Sequence, residues 1–435
     1  MMRQAAESEL GMKTMELGGG VYLHHATTDR FKTEIFSVRM LFPVTAGRSA
    51  ADTLIPRLLL RSCRDYPSER ALQIRLDELY GSDLSHAVER IGDMRVTAFT
   101  LDFLSERYAP MGALLREQAI SLLLSVILDP VYENGLTFRA ADVEREKSAH
   151  LDALGAIRNN KGAYALSRCA ALMRDPTRYD LPAAGTEEET LSVTQQMLTE
   201  QYRRMLTSCE VHFSYVGAAD PCEVAQLVTE RWSCGRAELH PLVFRRPRAA
   251  RIRREQEIAE GTQSVLVLGY RTGVYIGDED AALYPLFTEI LSDSPMAKLF
   301  INVREKKSLC YSIHAGASLS NGTLKISAGI DGGRAEEAER AIRREISMCR
   351  RAMISEQELL CAKESILSAY SAIGDSPADI DAYHCRAKLL RSDSSIKARL
   401  RQILSARTED IARIASRLSP DTVYLLRAGE GGEDA

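Results

Sequence analysis

Between Arg236 and Gly261 the chain carries Pro241, Pro247 and a cluster of arginines (Arg245, Arg246, Arg248, Arg251, Arg253 and Arg254), with little apolar periodicity and a polar finish at Glu255-Gln256-Glu257. That composition is typical of an exposed connector. A single core stops growing at about 250–300 residues, so a chain of 435 residues has to be divided somewhere. The arginine-rich break is the natural place. It predicts an N-terminal domain over residues 1–240, a connector over 241–261 and a C-terminal domain over 262–435.

The two halves carry the same plan. In the first, residues 35–42 and 96–103 alternate apolar and polar positions as strands do. Residues 54–60, 72–80 and 111–128 have helical spacing, as does a long stretch over 140–173. Residues 192–205 follow as a helix and 211–216 as a strand ended by Gly217. In the second half 265–270 reads as a strand, 281–291 and 295–303 as helices, and 310–318 with 324–330 as a hairpin around Asn321-Gly322. Helices over 334–350, 356–373 and 377–390 and a closing strand over 423–426 complete it. The segment 79–84 ahead of strand 96–103 sits where 309–313 sits ahead of strand 324–330. The predicted class is α+β, with two homologous domains, each an antiparallel sheet with helices packed on one face.

Charge excludes one class of partner. Lys and Arg total 56 against 60 for Asp and Glu, a net charge of -4, which provides no field to gather nucleic acid or an anionic membrane. The longest apolar run, 119–128, is about half of the ~20 residues a membrane-spanning helix needs. The acidic opening segment is unlike a secretory leader. Nine cysteines, far apart and without a C-x-x-C pair, fit free thiols in a reducing cytoplasm.

The eight histidines form neither H-E-x-x-H nor H-x-x-E-H. His24 and His25 are adjacent, so in a strand they point to opposite faces and cannot chelate one ion; they read as surface or interface residues. No nucleophile elbow, phosphate loop or dinucleotide loop is present. Gly18-Gly19-Gly20 reads as a turn, Glu187-Glu188-Glu189 as the exposed start of a helix, and Asp331-Gly332-Gly333 as a tight turn.

One constellation carries chemistry. In Phe300-Ile301-Asn302-Val303-Arg304-Glu305-Lys306-Lys307-Ser308-Leu309-Cys310-Tyr311-Ser312 a helix ends in charged residues and turns into a strand with a tyrosine seven positions after Arg304. A guanidinium and a phenol from consecutive elements could converge on one carbonyl group and hold or polarise it. The structural alternative is a surface Arg304 paired with Glu305 and a Tyr311 packed at the core edge.

The run V-R-E-K-K-S-L-C-Y-S resembles the L-R-E-K-R-G-L-A-Y-S signature of the pitrilysin/insulinase family, whose bacterial members are similar to mitochondrial processing peptidase. Residues 42–47 resemble that family's first strand and turn, and Pro182-Ala183-Ala184-Gly185-Thr186 its P-x-x-G-T segment. The resemblance implies two α+β halves closing as a clam shell, the first holding zinc and the second offering an arginine and a tyrosine, here Arg304 and Tyr311, to the substrate. Ser308 departs from the family's glycine. The larger departure is in the first half, where the helix expected to carry H-x-x-E-H is, by position, residues 54–61, whose leucines and Pro56 supply no zinc ligand. The remaining glutamate ligand would fall near Asp152 or Ala153 and aligns to Ala153, leaving Glu144 and Glu146 as helix-surface charges. The chain therefore resembles the zinc-less, inactive partner of a heterodimer. The resemblance implies no catalytic or metal-binding residue in this chain and substrate binding by Arg304 and Tyr311. It also implies zinc in a homologous partner subunit, with which the chain would share a peptide substrate. The alternative is a peptide-binding or scaffolding protein acting alone.

Overall fold

The computed structural model describes residues 11–45, 47–110, 114–173, 184–233, 246, 251–261, 263–392 and 395–429. Its contacts divide the chain into two units. The first is Met1–Leu154, Leu181–Val243 and Ala372–Asp393, and the second is Gly155–Asp180, Phe244–Ser371 and Ser394–Ala435.

The first unit is built on β1 (Lys13–Gly18), β2 (Val21–Thr27), β3 (Thr33–Pro43), β4 (Asp83–Ile91), β5 (Met94–Leu104) and β8 (Glu210–Gly217). A small pair, β6 (Tyr132–Glu133) and β7 (Thr137–Phe138), lies outside the main sheet, whose order is β1-β2-β8-β3-β5-β4. All neighbours in it are antiparallel except β2 and β8, which run parallel. Alternation along β3 places Phe36, Val38, Met40 and Phe42 on the face that meets the helices Ser49–Leu59, Glu69–Glu78, Leu115–Leu128, Gln195–Ser208 and Pro221–Arg231 in one core.

The second unit contains β9 (Arg253–Glu260), β10 (Ser264–Arg271), β11 (Cys310–Ser318), β12 (Thr323–Ile330) and β13 (Ser419–Gly429), in the order β11-β12-β10-β13-β9. Read from the matching edge, the first sheet runs β4-β5-β3-β8-β2 before its extra strand, and β9 and β13 are parallel as β2 and β8 are. The repeat expected from the sequence is therefore present strand for strand. The expected hairpin forms between β11 and β12, and Gly322 takes the left-handed conformation at φ +61° that its turn requires.

Three expectations change. The stretch 241–261 is not wholly a connector, because Arg253–Glu260 is the edge strand β9; an edge strand exposed along most of its length needs few apolar residues, so its composition resembled a linker. The long helix over 140–173 is two helices, Ala140–Asn159 and Lys161–Leu172, broken where the Asn160 side chain accepts the Ala163 N–H at 3.0 Å. Division at a single point also fails, because each sheet has a helix from the other half of the chain on its second face.

On the first sheet that helix is Pro377–Leu389, with Ile380 and Cys385 packed on Ile35, Ala26 and Val216. On the second it is Lys161–Leu172, with Ala165 and Cys169 packed on Val265, Val267, Tyr424 and Leu426. Tyr164 and Tyr424 donate to opposite oxygens of Glu257, each at 2.7 Å. Gly269 lets this helix end come close, since a Cβ there would lie 2.5 Å from the Met173 sulfur.

The second face of the first sheet also buries a chain of hydrogen bonds, where the sequence suggested surface histidines. Glu210 Oε1 accepts from His212 Nε2 at 2.8 Å, His212 Nδ1 accepts from His24 Nε2 at 2.8 Å, and His24 Nδ1 accepts from the Thr14 hydroxyl at 2.9 Å. Burial, with the charges of His212, Lys388 and Arg39 acting in the same sense and Asp381 opposing, lowers the His24 pKa to about 3. Between that value and the ordinary 6.5 the unfolded chain binds the proton and the native one does not, so stability falls as pH drops below 6.5. About 2 kcal/mol is expected to be lost between pH 7 and pH 5. His24→Gln keeps both hydrogen-bonding roles without titrating and should flatten this dependence in urea melts; an unchanged slope in that variant would disprove the assignment.

Candidate functional site

The two helices expected ahead of Arg304 are wound irregularly. A 3-10 turn, Glu279–Leu283, leads through Tyr284–Thr288 into a π turn, Glu289–Asp293, and a second π turn, Phe300–Glu305, holds Arg304 itself. The Lys306 N–H reaches back to the Ile301 carbonyl at 3.0 Å, the five-residue step of a π turn. This turn closes with Ser308 N–H on the Arg304 carbonyl at 3.0 Å and Leu309 N–H on the Val303 carbonyl at 3.1 Å. Ser308 is left-handed at φ +48°, which explains the glycine that the related signature has there. A non-glycine residue in that region carries about 1 kcal/mol of strain. Ser308→Gly is therefore expected to raise stability by about 0.5–1 kcal/mol, and a lowered melting temperature would contradict the strain argument.

Beyond the cap, β11 pairs Cys310 with Ile330 and then Ser312 with Gly329, leaving Tyr311 as the extra residue of a β-bulge. Tyr311 is 70% exposed, and its hydroxyl has no hydrogen-bond partner among the described residues. It is not packed at the core edge. The Arg304 guanidinium stacks over the Phe300 ring at 4.8 Å and lies 3.7 Å from Glu305, a loose pair that leaves most of its donors open. Burial pushes the Cys310 thiol up to about 11 against the opposing charge of Arg304. The guanidinium thus acts on the residue next to Tyr311. A π turn, a left-handed cap and a bulge present a loosely paired cation and an unpartnered phenol at one end of an edge strand. Such a pair can donate to a carbonyl oxygen and stabilise charge on it.

The edge of β11 is not open throughout, because Ala315 N–H donates to Ser292 Oγ at 2.8 Å. The equivalent edge of the first sheet, β4, is paired to β5 on one side. Its other side accepts and donates no backbone hydrogen bond among the described residues.

The helix expected in place of a zinc helix is Ser49–Leu59, with Pro56 inside it and Leu54, Ile55, Leu58 and Leu59 in the core. Its start is fixed by the P-x-x-G-T segment, of which Ala184 to Thr186 are described. Gly185, at φ +79°, approaches so closely that a Cβ would lie 2.6 Å from the Ala50 nitrogen, and Thr186 caps the next helix. Asp52 on the same helix faces Arg95 at 3.6 Å and accepts from Gln201 at 2.7 Å, both ends of the ion pair being 1% exposed. Burial raises the Asp52 pKa to about 6 against the charge of Arg95.

Glu146, expected on the helix surface, is instead largely buried against Arg61 at 2.9 Å; Glu144 is exposed as expected and pairs with Lys147. His150 is buried, with Nε2 donating to the Ala184 carbonyl at 2.8 Å and Nδ1 unpartnered. Sequence reading assigns no role to His150 and places Glu146 on the surface. The four-residue spacing of Glu146 to His150 on one helix was the available signal.

Residues 192–366 match the Peptidase M16 inactive domain. The chain is similar to the probable inactive metalloprotease YmfF of Bacillus subtilis (strain 168), at 26% identity over 418 residues, covering 95% of this chain and 97% of the relative. Its fold is that of a conserved protein from Enterococcus faecalis V583, with a TM-score of 0.89 at 23% identity over 97% of this chain and 100% of that one. It is likewise that of a peptidase M16 inactive domain from Pseudomonas fluorescens, with a TM-score of 0.80 at 16% identity over 98% of this chain and 100% of that one. Over residues 192–366 the chain thus resembles the Peptidase M16 inactive domain, and over nearly its whole length it is similar to a probable inactive metalloprotease and shares the fold of an M16 inactive domain.

Proposed function

We propose that the chain is the non-catalytic subunit of a heterodimeric zinc peptidase, binding a peptide and positioning it for a homologous partner that carries H-x-x-E-H. The observation that carries this is an exposed, unpartnered Tyr311 on a bulge with a loosely held Arg304 seven positions before it in the chain, in a protein whose zinc-helix position is filled by Pro56 and leucines. Functional donors are retained where metal ligands are replaced. A peptide added as a strand along an open sheet edge gains backbone hydrogen bonds from this chain, while Arg304 and Tyr311 address the scissile carbonyl. The partner's zinc supplies the activated water. The free thiols of Cys63, Cys169, Cys222, Cys310, Cys349, Cys361 and Cys385 suit a reducing cytoplasm, and none of the helices described is long and apolar enough to cross a membrane.

The test is reconstitution. Material captured from the native host with the tagged chain should contain a similar-sized homologue with H-x-x-E-H, and the pair should cleave peptides that neither chain cleaves alone. Recovery of this chain only as a monomer or homodimer, with peptide bound but never cleaved, would favour a stand-alone binding protein.

A further inference from the structure

In the first unit the turn after helix Ser49–Leu59, the start of helix Glu69–Glu78 and the start of helix Ala140–Asn159 border a cavity of about 580 Å³. Four arginines line it, Arg61, Arg70, Arg139 and Arg145, against two acids, Glu69 and Asp142. Arg61 engages both acids, with Nη2 2.8 Å from Glu69 and Nε 3.5 Å from Asp142, while its Nη1 holds Glu146 at 2.9 Å. Arg139 donates through Nη1 to the Pro67 carbonyl at 3.0 Å and lies 4.0 Å from Asp142, which leaves its Nε and Nη2 open among the described residues. Arg70 and Arg145 are exposed and make no ion pair or hydrogen bond among the described residues. A buried polar side chain lines the same space. Ser62 is 6% exposed, and its hydroxyl has no hydrogen-bond partner among the described residues.

The charge left over is positive, on a chain whose net charge is -4. Cations from two helices are gathered around one space without acids of their own, and they repel one another unless an anion stands between them. A guanidinium fork matches the oxygens of a phosphate, and a serine hydroxyl supplies one more donor. One carboxylate would satisfy one arginine; cations on separate walls call for several charges on a compact chain. No aromatic side chain is among the described residues lining the cavity, so a nucleobase has no ring to stack on. None of the lining residues belongs to a strand, so an extended peptide has no sheet edge to join there.

We propose that this cavity binds a phosphate chain, either free inorganic tripolyphosphate or the phosphates of a nucleoside triphosphate, held by Arg70, Arg139, Arg145 and the Ser62 hydroxyl. Arg61 serves the site indirectly by neutralising Glu69 and Asp142. The site involves neither Arg304 nor Tyr311 and does not depend on the reading of the chain as a peptide holder.

The experiment is isothermal titration calorimetry on the full chain at low salt, with tripolyphosphate, ATP, GTP and orthophosphate as probes. Tripolyphosphate is expected to bind at one site per chain, ATP and GTP to match each other, and orthophosphate to bind roughly tenfold more weakly because it reaches fewer charged donors. Nucleotides bound as tightly as tripolyphosphate assign the site to the phosphate chain wherever it is carried; tripolyphosphate bound much more tightly assigns it to the free inorganic chain. Arg70→Gln and Arg145→Gln should each weaken tripolyphosphate roughly tenfold, the loss of one charged hydrogen bond. Neither should lower the melting temperature of the unliganded chain, since neither arginine has a partner to lose. Arg64→Gln removes an arginine that pairs with Asp129 and does not line the cavity, and it should leave the affinity unchanged. Absence of saturable binding, a strong preference for one nucleotide over tripolyphosphate, an equal loss in Arg64→Gln, or an affinity that survives the Arg70→Gln, Arg145→Gln double variant would overturn the proposal. An oligoglutamate peptide bound as tightly as tripolyphosphate, and through the same arginines, would overturn it too, because the cavity would then be a receptor for acidic peptides.

Discussion

Replacing Arg304 by alanine or Tyr311 by phenylalanine is expected to slow peptide cleavage by the reconstituted pair about a hundred- to a thousandfold. In the proposed role both donors act on an oxygen that gains charge during attack, and loss of one such donor typically costs about 2.7–4 kcal/mol of transition-state stabilisation. Neither side chain contributes to the core: Tyr311 is 70% exposed, and Arg304 has only a 3.7 Å pair with Glu305 and a stacking contact to Phe300. The melting temperature of both variants should therefore match that of the parent chain. Arg304→Lys should rescue poorly, since a point charge does not reproduce the guanidinium fork. Purely structural roles predict the reverse, with stability lost and rate kept. Unchanged rates in a demonstrably active pair would end the proposal that these residues serve a partner's active site.

Most of the strand plan was legible because it depends on local alternation. The strands over 35–42, 96–103 and 211–216 lie within longer strands of the structure, and the hairpin around Asn321-Gly322 forms between β11 and β12. What escaped was set by distant partners. β9 has a connector's composition because it is an exposed edge, and its place is fixed by parallel pairing with β13, some 170 residues further on. Nothing in the local pattern of Pro377–Leu389 shows that it packs on a sheet formed by residues near the start of the chain. At the candidate site, Arg304 and Tyr311 were identifiable from spacing and family resemblance. Their presentation was not, because π turns and bulges leave no periodicity to read.

The exchanged helix provides the other large effect. Asp381 accepts from Arg39 at 2.6 and 3.2 Å and from Ser37 at 3.0 Å, with the paired side chains of Asp381 and Arg39 only 2% and 11% exposed. Burial alone would raise the Asp381 pKa, but the Arg39 charge and the hydrogen bonds of Arg39, Ser214 and Ser37 outweigh it and hold the carboxyl below its ordinary value. Asp381→Ala leaves Arg39 buried without a counter-charge, which typically costs about 3–5 kcal/mol. That is a large part of the 5–15 kcal/mol that holds a domain together, so the urea midpoint should fall steeply. Helix Pro377–Leu389 should also become more open to protease, since it would keep its apolar contacts through Ile380 and Cys385 and the exposed Arg386–Glu89 pair but lose its buried anchor. The double variant Arg39→Met with Asp381→Leu removes both charges at similar volume and should recover most of the loss, because well-packed apolar residues often replace a buried ion pair without penalty. A single variant within 1 kcal/mol of the parent, or a double variant as damaged as the single, would show that the helix is held by something other than this pair. If the pair does hold it, a fragment ending near residue 240 lacks the helix that covers Ile35, Ala26 and Val216. Such a fragment should then be insoluble or unfolded, however complete its own strands are.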